Sequence, residues 1–183
     1  PSIVGKPLGW LLEESSTNTI IQSEDFTTTW NSPTGLGSVS PNATIAPNGS
    51  IVSADKADSI TASSATTGRC SISQAQVWNS GQTYTVSVYA KKDSIDFLEI
   101  STGLLSNARF AQTFNLSTGT VGNFGGAIVG ASRMVAYPNG WYRCEVTFAA
   151  TANSNGEVFI KTRSDNAVST TFAATSGQGT YIW

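Results

Sequence analysis

The chain has 183 residues, enough for one domain with a sizeable core. Charged residues make up only 12% of it, about half the usual globular share, so its surface is built largely from Ser, Thr, Asn and Gln, which suits strands and turns better than helices. The net charge is −2 and the ten Lys and Arg are dispersed. No basic stretch tracks a phosphate backbone, which argues against nucleic acid as a partner. No apolar run approaches the ~18 residues of a membrane helix, so membrane insertion is not expected.

Amphipathic helical periodicity is nearly absent along the chain. Residues 11–26, LLEESSTNTIIQSEDF, come closest, but the run from Thr17 to Ile21 favours extended structure. Residues 1–26 therefore read as a lead-in segment, part of or packed on a sandwich that occupies 27–183. Residues 27–50, with TTTWNSPTGLG and APNGS, read as turns around short strands.

Strand candidates then follow closely: IVSADKA (51–57), RCSISQAQVW (69–78), TYTVSVYAKK (83–92), DFLEIST (96–102), ARFAQTFNL (108–116), WYRCEVTFAA (141–150), EVFIKTRS (157–164) and GTYIW (179–183). The turn signals NSGQ (79–82), STGT (117–120), PNG (138–140) and NSNG (153–156) separate them. Many short strands with regular turns indicate an all-β fold, an antiparallel β-sandwich of the jelly-roll kind. No internal repeat or linker divides the chain. Its last residues, Tyr181-Ile182-Trp183, read as the middle of a strand, so the sequence reads as a piece of a longer polypeptide.

In YPNGWYRCEVTF (137–148), Tyr142, Cys144, Val146 and Phe148 share one face, and Trp141, Arg143, Glu145 and Thr147 the other. TYTVSVYAKK repeats the pattern, with Tyr84, Val86, Val88 and Ala90 inward and Tyr89 on the polar side. EVFIKTRS sets Phe159 beside Lys161 and Arg163. Tyr89, Trp141 and Phe159 are thus expected on one outer surface. Rings beside fixed polar groups such as Arg143 and Glu145 suit sugar recognition, since a ring covers a pyranose face and polar groups take its hydroxyls. The competing expectation is that each ring covers a neighbour's edge or lies under a loop.

There are no histidines, which removes the usual general base and the commonest zinc ligand. No G-x-S-x-G or phosphate-loop pattern occurs. Asp93, Asp96 and Glu99, or Asp55 and Asp58, are the available carboxylates, and nothing singles out a catalytic pair. No cofactor is called for. Calcium is common in sandwich domains, but no loop has EF-hand spacing. Cys70 and Cys144 are far from metal-ligand spacing. A disulfide between them and two buried thiols both fit the pattern.

LGWLLEESSTNTIIQSEDFTTTW resembles the opening G-L-L-(I)-E-E-x-x-T-N-L-(L)-x-x-S-E-(D/E)-F-x-x-x-W of a jelly-roll module found in many tailed-phage structural proteins. The likeness continues through APNGSIVSADK, SGQTYTVSVYAKK, FNLSTGTVG, NGWYRCEVTFAAT and GTYIW, and so covers nearly the whole chain. Such modules are similar to carbohydrate-binding, concanavalin-like sandwiches. The resemblance implies a non-enzymatic virion component on a capsid, fibre or tail, with host cell-surface or environmental glycans as its ligands; the structural alternative packs on other virion subunits or on copies of itself, as in a trimer. It carries over no set of sugar-contacting residues, because Gly140, Trp141, Tyr142 and Arg143 match a motif that goes with the fold. A purely structural subunit is the main alternative, and a glycan-degrading accessory module a weaker one.

Overall fold

The computed structural model describes residues 17, 19, 20, 26, 30, 37–49, 57–62, 66–68, 71–103, 109–127, 130–168, 172–174 and 177–183. Strands among them are β1 (Gly37–Thr44), β2 (Ala57–Ala62), β3 (Thr66–Gly68), β4 (Ser71–Trp78), β5 (Thr83–Lys92), β6 (Phe97–Thr102), β7 (Phe110–Asn115), β8 (Thr120–Gly126), β9 (Gly130–Tyr137), β10 (Trp141–Ala149), β11 (Ser154–Arg163), β12 (Phe172–Ala174) and β13 (Gly179–Ile182). They form a six-stranded front sheet, β1-β2-β13-β5-β10-β9, and a five-stranded back sheet, β4-β11-β6-β7-β8, with β12 and β3 paired separately. Every pairing is antiparallel. The chain is an antiparallel β-sandwich.

Period-2 patterning explains the central strands. β5 and β10 run together from Trp141↔Lys91 to Ala149↔Thr83. That register sets Val86, Val88 and Ala90 beside Cys144, Val146 and Phe148 on the inner face, where all are buried. The back sheet supplies Ile72, Leu98, Ile100, Phe114, Val158 and Ile160 to the same core. Phe148 spans the two layers: it stacks on Phe110 at 5.5 Å and meets Trp78 edge-on at 5.4 Å. Each fully buried side chain of this size contributes about 1.5–3 kcal/mol. Phe26 and Trp30, with rings 5.2 Å apart, join the same cluster.

The PNG turn folds β9 onto β10 because Asn139 and Gly140 adopt φ of 61° and 78°, a left-handed conformation that Asn and Gly enter most readily. Tyr137 is thereby set opposite Trp141. The other expected turns hold at NSGQ, where the Gln82 amide bonds the Asn79 carbonyl at 3.1 Å, and at STGT, where the Asn115 side chain accepts from the amides of Ser117 and Thr118.

Several boundaries differ from expectation. β11 begins at Ser154, so most of the NSNG segment is strand, where Ser154 pairs with Trp78. β1 lies within residues expected to be mainly turn. β8 and β9 were not anticipated, and Gly125-Gly126 belong to β8. A Cβ at Gly125 would collide with the side chain of Val168, which crosses this strand. Of the candidate at 51–57, residues 51–56 lie outside the described residues. Cys144 is fully buried and free, so the disulfide alternative falls; burial pushes its thiol pKa well up. Cys70 lies outside the described residues.

Candidate functional site

Strand parity carries Tyr89, Arg143 and Glu145 to the outer face of the front sheet, where Tyr89 and Arg143 are directly opposed partners on β5 and β10. Two further rings join Tyr89. Tyr137, at the end of β9, meets it edge-on at 4.9 Å, and Trp183, just past β13, does so at 5.5 Å. Trp183 is fixed there by exchanging two backbone hydrogen bonds with Tyr89, at 3.0 and 2.9 Å. A hydrogen bond with Tyr137 raises the Tyr89 pKa, partial burial adds to the rise, and Arg143 acts in the opposite sense. Tyr89 therefore stays a neutral phenol, available as donor and acceptor.

Glu145 organises the polar half of this face. Arg133 Nε donates to its Oε1 at 2.7 Å and Arg143 Nη2 to its Oε2 at 3.1 Å. Arg143 Nη2 also reaches Ser87 Oγ at 3.4 Å. The carboxylate is nearly covered, while the Arg133 and Arg143 side chains remain 63% and 36% exposed. The result is an outward-facing array of guanidinium N–H groups beside aromatic rings. Such an array can cover an apolar sugar face and donate to its oxygens.

Trp141 shares this face by parity but not by exposure. It is completely buried, and its Nε1–H donates to the Ile45 carbonyl at 3.2 Å. The segment after β1 lies against it, with Ala46 and Pro47 also buried. Trp141 thus has no open ring face to offer a ligand and acts as packing beneath a neighbouring segment. Phe159 is displaced further: β11 belongs to the back sheet, so Phe159 lies on the opposite outside of the sandwich, with Lys161 Nζ 5.5 Å from its ring centre. The expected common surface of Tyr89, Trp141 and Phe159 does not form, because period 2 assigns the side of a strand and not the sheet it joins.

Tyr137 and Trp183 were missed as site residues, although a signal existed for each. The PNG hairpin pairs Tyr137 with Trp141, and alternation in GTYIW sends Thr180 and Ile182 inward and Tyr181 and Trp183 outward.

The back sheet's outer face holds the other charged cluster. Glu99, wholly buried, accepts from Lys161 Nζ at 2.5 Å and Arg109 Nη2 at 3.1 Å on one oxygen, and from Arg163 Nη1 at 3.1 Å on the other. Arg163 also grips Asp165 at 2.8 Å. The neighbouring carboxylates are engaged separately, Asp96 by Lys92 at 2.6 Å and Asp93 by the hydroxyls of Ser94 and Tyr181. Asp55 lies outside the described residues. Among the described residues no three His, Cys, Asp or Glu side chains gather as a metal site. Comparison of the chain with known protein families and with curated proteins finds no match.

Proposed function

We propose that the chain is a non-enzymatic surface module of a phage virion, on a capsid, fibre or tail, that contacts host glycans through the outer face of its front sheet. The sequence resemblance supports the virion part of this reading. The strand order supports the jelly-roll part. The neighbours β2-β13-β5-β10 in one layer, facing β4-β11-β6-β7 in the other, follow the interleaving of that topology, with β1, β8 and β9 added at the edges.

The observation that carries glycan contact is the group of Tyr89, Tyr137 and Trp183 around Arg143, on a face where Tyr137 is 38% and the Arg143 side chain 36% exposed. The rings stand nearly edge-on to one another, at 89° and 66°, so they do not make a flat shelf for a crystalline polysaccharide. The arrangement fits one or two sugar rings of a soluble chain end. A glycan array probed with the chain, repeated with Tyr89→Ala and Tyr137→Ala, tests this. Binding that is lost in both variants while the fold survives is the expected result; an array without a bound glycan removes the reading.

A second reading, a purely structural subunit, draws on the two open edges. β8 and β9 end the two sheets on the same side and carry Val121, Phe124, Val135 and Tyr137 exposed, with Arg133 as their one charged residue. Edge strands this poor in charge favour covering by another subunit. Association of the isolated chain in sedimentation, together with an empty glycan array, would favour this reading.

A further inference from the structure

We infer that the glycan taken by the front face is acidic, a sugar bearing a carboxylate. This rests on the reading above, that the face binds glycans. The chain as a whole is negatively charged at −2, yet its front face is not. Around the rings stand Arg133 and Arg143 with only Glu145 between them, and Lys91, on the same side of β5 as Tyr89, forms no ion pair among the described residues. Asp93, just past the Tyr89 end of β5, is another described acid on this side, and it is engaged by the hydroxyls of Ser94 and Tyr181. Among the described residues one carboxylate stands between two guanidiniums, which leaves positive charge beside Tyr89 and Tyr137.

Geometry makes that charge usable. Glu145 holds Arg133 at 2.7 Å and Arg143 at 3.1 Å, which orients both guanidiniums before any ligand arrives. Arg143 spends only Nη2 on Glu145 and Ser87. A guanidinium has five N–H donors in a planar fork, so its remaining donors stay available on a side chain that is 36% exposed. A carboxylate beside a sugar ring can take two parallel N–H bonds from such a fork, the strong charge-assisted arrangement. A neutral hydroxyl would take one weaker bond and leave the excess charge unanswered. The ring of Tyr89, directly across from Arg143, supplies the apolar contact for the same sugar.

The test is equilibrium binding of the whole chain to matched pairs: sialyllactose against lactose, and oligogalacturonate against the same oligomer after carboxyl reduction. The acidic member of at least one pair should bind about tenfold tighter or better, and the preference should shrink as salt is raised. Arg143→Gln should abolish the preference while keeping weak binding to both members, whereas Tyr89→Ala should lose both. Equal or stronger binding of the neutral members overturns the acidic assignment and leaves the glycan reading standing. A preference that persists undiminished in Arg143→Gln also overturns it. If no member of either pair binds, the acidic assignment falls, and an empty glycan array then removes the glycan reading as well.

Discussion

The two outer faces of the sandwich begin alike, as the polar sides of alternating strands, and end in opposite states. On the back sheet Glu99, Ser101, Thr113 and Arg163 all point away from the core, yet all are buried. The 164–168 segment supplies part of the cover, with Asn166 bonded to Thr113 and Asp165 to Arg163. On the front sheet Glu145 also sits between cations, but they are not enclosed: the Arg133 side chain stays 63% exposed and that of Arg143 36%. A carboxylate clamped by arginines is thus an enclosed structural knot in one place and a base for outward donors in the other. The difference is one of covering rather than residue type. It explains why charge alone in this chain does not point to the proposed binding face.

The largest effect should come from the enclosed cluster. Glu99→Gln removes the carboxylate shared by Lys161, Arg109 and Arg163, and breaking a buried pair of this kind costs about 3–5 kcal/mol. Chemical unfolding measures it, and a loss under ~1 kcal/mol would show that the back face is not enclosed as described. Trp141→Phe should cost less. It keeps most of the buried ring volume but leaves the Ile45 carbonyl without its donor, a loss of about 1–3 kcal/mol. The sugar binding proposed at Tyr89 should be unchanged in that variant, and a binding defect without a stability defect would return Trp141 to the proposed site. Smallest of the three is Arg143→Gln, on the open face. An exposed ion pair contributes at most about 1 kcal/mol, so its melting curve should nearly overlay that of the parent chain.

Much of the fold is legible in the residues. β5 was expected at 83–92 and occupies those residues, because its β-branched alternation is uninterrupted by glycine. The inward faces of β5 and β10 follow directly from parity. β8 and β9 escape such reading because Gly122, Gly125, Gly126 and Gly130 weaken the apolar pattern, and those glycines answer to crossing groups such as Asn166 and Val168. The site is legible only by halves. Parity places Tyr89, Arg143 and Glu145 correctly on the polar side of their strands. It cannot see that Ile45, 96 positions away, covers Trp141, or that β11 crosses to the other layer and takes Phe159 with it. Glu99 reads as a surface acid for the same reason, since the segments that enclose it are remote in sequence.

The free state of Cys144 has a consequence for how the sandwich is held together. With two cysteines in all and one of them an unpaired thiol in the core, no intrachain disulfide staples the sandwich. Its cohesion comes from the interdigitated layers around Phe148 and from the Glu99 knot, neither of which depends on redox potential. The thiol itself, held protonated by its apolar surroundings, is a poor nucleophile towards oxidants. The same fold therefore holds together equally well in reducing and in oxidising surroundings.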